Sequence, residues 1–100
     1  MNDDITKAEL KVLIEQIKAL RPGQAYRLSQ LMEDIVAKVA LLHHQTWFRL
    51  KHTQSQELAY AVACENKSVT KSTPKKELEA RRKAFQDVVE RILYELHEFS

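Results

Sequence analysis

Gln30-Leu31-Met32-Glu33-Asp34-Ile35-Val36-Ala37-Lys38-Val39-Ala40-Leu41-Leu42 opens a run, residues 30–66, that contains neither glycine nor proline. Leu31, Ile35, Val39 and Leu42 recur in it at helical spacing. The stripe weakens through His52, Thr53, Gln54 and Ser55, then resumes at Leu58, Ala61 and Val62. Two structures fit this pattern. A single helix would be about 55 Å long at about 1.5 Å per residue. The other solution is two helices, over 30–52 and 55–66, broken near Thr53–Ser55 with Ser55 as a new cap. The broken form is the expectation, because so long a rod sits poorly in a small domain.

The flanks extend the helical reading. Upstream, Arg21-Pro22-Gly23-Gln24 predicts a type II turn, with Pro setting φ at the second position and Gly supplying φ > 0 at the third. Gln24 to Leu28 is expected to run briefly extended, Tyr26 and Leu28 facing inward, before Ser29 caps the next helix. Before the turn, Leu10, Leu13, Ile14, Ile17 and Leu20 predict a helix over about 5–20. Thr6 and Glu9 form its capping box, and Asp3 and Asp4 suit its dipole. Downstream, 67–73 reads as a polar, basic loop, and Thr73-Pro74 as the cap and first residue of a last helix over 74–98. Leu78, Phe85, Ile92 and Phe99 repeat every seven residues there, and Val88, Val89 and Leu96 widen the stripe.

Composition agrees. One glycine and two prolines in 100 residues are too few turn formers for an all-β domain. An apolar fraction of 44% with 30% charged residues is that of a folded globular chain. The expected fold is therefore all-α: one domain over 1–100, a small bundle of three or four helices, with the heptad and the small size compatible with a homodimer. The single Cys64 excludes a disulfide framework and is expected to be a packed apolar residue rather than a nucleophile. No run approaches the roughly 18–20 apolar residues of a membrane span. Met1-Asn2-Asp3-Asp4 lacks the basic-then-apolar order of a signal peptide, so a soluble, cytoplasmic protein is expected.

Charge is the feature that bears on function. Lys67, Lys71, Lys75, Lys76, Arg81, Arg82 and Lys83 oppose only Glu77 and Glu79, so residues 67–83 carry a net +5. Residues 1–66 sum to zero, and residues 84–100 to −3. The band is a candidate site for an anionic macromolecule, with nucleic acid first and an acidic protein surface second. Lys75 and Lys76 stand at the start of the last helix and Glu95 and Glu98 near its end, the reverse of what the helix dipole favours. A protein partner would instead lean on Trp47, Phe48, Tyr60 or Tyr26 as anchors.

Two short strings resemble known families. Glu57-Leu58-Ala59 with Val62, Ala63, Cys64 and Val69 resembles a helix-turn-helix, which would place Asn66, Lys67, Ser68, Thr70 and Lys71 against bases and phosphates. Ala63 stands there in place of the usual glycine, and Pro74 would cut the recognition helix short. Arg91, followed six residues later by His97, resembles the motif of the all-helical HEPN ribonucleases. That resemblance implies phosphate binding by Arg91 and acid–base chemistry by His97. Ile92 stands where that family usually has a polar residue. His43, His44 and His52 lack the spacing of a metal site. No metal, cofactor or small-molecule substrate is expected. The leading expectation is a non-enzymatic regulatory or binding protein, with an adaptor acting by protein contact and a HEPN-like ribonuclease as alternatives.

Overall fold

The computed structural model describes residues 2–99, and every regular element in it is helical. In order these are α1 (Asn2–Lys18), α2 (Ala25–Ala40), α3 (His44–Thr53), a π turn (Gln54–Leu58), α4 (Ala59–Asn66), α5 (Lys75–Glu95) and a 3-10 turn (His97–Phe99). The π turn joins α3 to α4 without a break, so four rods make the bundle. Cross-rod pairs give the topology. Glu9 meets Lys38 across α1 and α2, and Glu33 meets Gln54 across α2 and the π turn. Thr46 meets Glu98, and Thr53 meets Glu95, along the third and fourth rods. Each sequential pair is antiparallel, as short connections require.

The core runs through all four rods. Leu10, Ile14 and Ile17 of α1 meet Leu28, Met32, Ile35 and Val39 of α2, Leu50 and Leu58 of the third rod, and Phe85, Val88 and Ile92 of α5. The molecule is elongated, 55 × 22 × 18 Å. Among the described residues no helix is long and apolar enough to cross a membrane.

Several expected boundaries move. Helix α1 already starts at Asn2, because residues 2–5 hold no breaker and Asp3 and Asp4 suit its first turn. Thr6 and Glu9 therefore lie inside the helix and form no capping box at its start. Residues 25–28 are helical rather than extended, and Ser29 lies a turn inside α2. Leu28 is buried as expected, but Tyr26 points outward at 69% exposure. The cap on this helix comes from far away in sequence. The Glu65 carboxylate of α4 accepts the Ala25 N–H at 2.9 Å and the Gly23 N–H at 3.2 Å. Gly23 takes the expected positive φ, +102°, and the Gln24 N–H reaches the Arg21 carbonyl at 3.1 Å.

The run 30–66 bends elsewhere than expected. Its break is at Leu41–His43, where His43 turns extended and its Nδ1 accepts the Thr46 N–H at 3.2 Å as the cap of α3. The predicted helix 30–52 is thus two helices folded back on each other. Near Thr53–Ser55 the chain stays helical as a π turn, and the Ser55 hydroxyl donates to the His52 carbonyl rather than capping. The buried positions explain the π turn. Thr46, Leu50 and Thr53 face inward, and the next buried residue is Leu58, five positions on. Five α-helical steps would rotate that side chain off the core face, and a π turn absorbs the extra residue.

Helix α5 starts at Lys75 with Pro74 as its N-cap, and the Pro74 carbonyl accepts the N–H groups of Glu77 and Leu78. The Thr73 hydroxyl, expected to cap this helix, accepts the Thr70 N–H at 2.9 Å instead. The helix ends at Glu95, and His97–Phe99 form a 3-10 turn.

Candidate functional site

Between Cys64 and Phe85 no side chain is buried. The end of α4, the loop 67–74 and the first ten residues of α5 form a hairpin end, joined to the core at its base by half-buried Ala84. The charged band lies on it. Lys67 sits just past the end of α4, Lys71 in the loop, Lys75 and Lys76 in the first turn of α5, and Arg82 two turns on. All five are exposed, and none has a carboxylate within ion-pair distance among the described residues.

The other two cations of the band have local work. Lys83 pairs with Asp87 one turn along α5, at 3.1 Å. Arg81 is half-buried, and its Nη2 donates to the Lys67 carbonyl just past the α4 C-terminus. That contact ties the two arms of the hairpin together and places a cation at the negative end of α4. The Arg81 Nε is buried without a partner. The structure therefore leaves five of the seven candidates as an open cationic surface, ties Arg81 to the end of α4, and pairs exposed Lys83 with Asp87. The N-terminus of α5 adds to the positive potential, since no side chain caps it.

The helix-turn-helix reading fails on backbone geometry. Residues 67–74 contain no helix, and Val69, which would have anchored a recognition helix, is 54% exposed. Ser68, Val69, Thr70, Ser72, Thr73 and Pro74 are a helix-poor sequence. The loop is ordered by its hydroxyls, with Thr70 bonded to both Ser72 and Thr73.

Fold-back of the third rod on α5 also brings Arg91 and His97 to one cleft of about 340 Å³, with Arg49, Tyr94, Glu95 and Glu98. Arg91 is already engaged there. Its Nε lies 3.5 Å from Glu57 and 4.0 Å from Glu95. The His97 Nδ1 is 2.6 Å from the Tyr94 carbonyl, and its ring packs on Tyr94 with centroids 5.6 Å apart. Glu95 is buried, and the Thr53 hydroxyl lies 3.1 Å from each of its oxygens. Burial pushes the Glu95 carboxyl above its ordinary pKa, against the opposing pull of Thr53, Arg91 and Arg49. A phosphate entering this cleft meets a guanidinium flanked by two carboxylates.

The remaining candidates disperse. His43 caps α3, and His44 stacks on Trp47 with centroids 5.3 Å apart. Among the described residues no group of three or more His, Cys, Asp or Glu could hold a metal ion. Cys64 is buried. Of the four aromatics expected as protein anchors, Trp47 packs against the core, while Tyr26, Phe48 and Tyr60 are exposed on different elements.

Sequence reasoning missed the neighbours of the basic end. Because Glu65 holds the Gly23 and Ala25 amides, the α1–α2 turn lies beside the end of α4. That brings exposed Arg21 and Arg27 toward the band, although they are forty or more residues from most of it in sequence. No local signal announces such a contact. Comparison with protein-family models, with curated proteins and with solved structures finds no match for this chain.

Proposed function

We propose that the protein binds nucleic acid through the phosphate backbone, using Lys67, Lys71, Lys75, Lys76 and Arg82. One observation carries this reading: residues 65–84 contain no fully buried side chain, and five of their cations have no carboxylate partner among the described residues. A surface under folding constraints alone has no reason to cluster one sign of charge. This one leaves like charges clustered and sets two lysines at the positive pole of a helix, where each is unfavourable by about 0.3–1 kcal/mol. A phosphate backbone relieves both penalties and releases counterions as it binds. Recognition of this kind carries no base readout, so affinity should be nearly independent of sequence.

The test is fluorescence anisotropy with a labelled random DNA duplex. Phosphate contacts by these five cations alone give a log–log salt slope of about −4.5, a loss of several hundred-fold between about 50 and 200 mM salt, and any further contact steepens it. Changing Lys71, Lys75, Lys76 and Arg82 together to alanine should abolish binding without altering the helical circular dichroism. Absence of binding at low salt sinks the reading. It would turn attention to an acidic protein surface as partner.

A further inference from the structure

Resting on the reading above, we infer that the site is composite and meets a duplex end-on: Arg21 and Arg27 complete it, and the long axis of the molecule points away from the nucleic acid. The Glu65 carboxylate accepts amides at Gly23 and Ala25, so the α1–α2 turn and the basic hairpin share one end of the bundle. Charge divides along the same line. Residues 18–27 and 65–84 together hold ten cations against three carboxylates, while the rest of the chain holds six cations against eleven. Of the three carboxylates, Glu65 is spent on the amides, which leaves Glu77 and Glu79. Lys18 is paired with Glu15 at 3.3 Å and adds little. Arg21 and Arg27 have no carboxylate in ion-pair reach among the described residues, and the Arg27 guanidinium donates to the Gln30 side chain at 3.4 Å.

A cationic end on an anionic body is drawn to a polyanion by one end and repelled along its flank. The partner's form follows from what this end lacks. Tyr26 is its single aromatic residue. Proteins that hold unpaired strands stack successive bases on several aromatic side chains, whereas duplex phosphates need cations alone. The bundle is 22 × 18 Å in cross-section and 55 Å long. At about 3.4 Å per base pair, an end-on molecule covers about 6 or 7 base pairs and a lengthwise one about 16.

The experiment is a stoichiometric titration of a long random duplex at low salt, read as base pairs per bound protein, beside salt slopes for wild type, R21A/R27A and R21K/R27K. End-on binding predicts saturation near 6 or 7 base pairs per chain. It also predicts a slope about 2 shallower for R21A/R27A, with the wild-type slope kept by the lysine variant. Saturation near 16 base pairs, or an R21A/R27A slope equal to wild type, overturns the end-on composite site and leaves phosphate binding standing. No binding by the wild type at low salt overturns both. Both arginines are exposed, and the lysine variant separates lost charge from lost structure.

Discussion

From Lys75 to Ala84 helix α5 buries none of its side chains, whereas from Phe85 to Glu95 it buries Phe85, Val88, Ile92 and Glu95. The heptad is continuous across the divide, yet Leu78 is 42% exposed and Ile92 is fully covered. Periodicity marks the face a helix would bury; only the presence of a neighbour decides whether it does. The second half has α3 and the π turn against it, and its charges are drawn into that contact through Thr53–Glu95 and Arg91–Glu57. The first half runs past the core beside the end of α4, and most of its cations remain open to solvent. One half of the helix contributes to the core, and the other leaves most of its side chains in solvent.

The largest separation between the halves is in the core. Ile92→Ala should destabilise the fold by about 2–5 kcal/mol, because a fully buried side chain leaves a cavity. Leu78→Ala on the same stripe should cost under about 1 kcal/mol, since little transfer from water is lost at an exposed site. Urea denaturation of the two variants compares them directly, and equal losses would mean that the hairpin end is packed in solution.

Next comes the buried carboxylate. Thr53→Val removes the hydroxyl that faces both oxygens of Glu95 and should cost about 1–3 kcal/mol at neutral pH. Glu95 has a raised pKa in the folded state, so the fold binds its proton more tightly than the unfolded chain does. Its contribution to stability is therefore full below the ordinary carboxylate range and is lost as pH rises through the folded value. Glu95→Gln should flatten that part of the stability profile, measured by denaturation midpoints from about pH 4 to 7. An unchanged profile would place the charge of Glu95 in water.

Glu65→Ala removes the acceptor for two amides at the start of α2 and should cost about 0.5–2 kcal/mol, the range for a lost helix cap. Read by thermal unfolding, it tests whether the two segments of the basic end are held together as described. The smallest effect has the opposite sign. Lys75→Glu with Lys76→Glu should stabilise α5 by about 0.3–1 kcal/mol per site, by matching the dipole. The same change should eliminate duplex binding. A variant that is both more stable and still binding would detach the hairpin from function.

Much of this architecture was legible locally. The glycine-free, proline-free run 30–66, the turn at Pro22–Gly23 and the stripe on α5 each follow from interactions within a few residues. The disturbance around Thr53 was legible too, as a stripe falling out of step. Its identity as a π turn was not, because a helix that loses register can break or absorb a residue at similar local cost. The break at Leu41–His43 carries no breaker residue. It rests on a histidine ring serving as a cap and on buried Thr46, whose hydroxyl donates to Glu98, fifty-two residues away. The charge band could be counted in the sequence, but its members could be told apart there only in part. The i,i+4 spacing of Lys83 and Asp87 did mark their pair, whereas Arg81, spaced for Glu77, instead reaches the Lys67 carbonyl.

The sequence by itself determined that this chain is helical, roughly where its helices run, and that its positive charge is concentrated in one stretch. Those properties arise from backbone sterics, side-chain periodicity and charge counts over spans of a few turns. Tertiary structure alone decided which cations remain open, that Glu65 joins the α1–α2 turn to the basic end, and that Glu57 reaches Arg91 beside its local neighbour Glu95. These depend on contacts spanning 14 residues for Arg81–Lys67, 34 for Arg91–Glu57 and 40 for Glu65–Ala25. Pairings at such distances are selected by the packing of whole rods, and no local pattern encodes them.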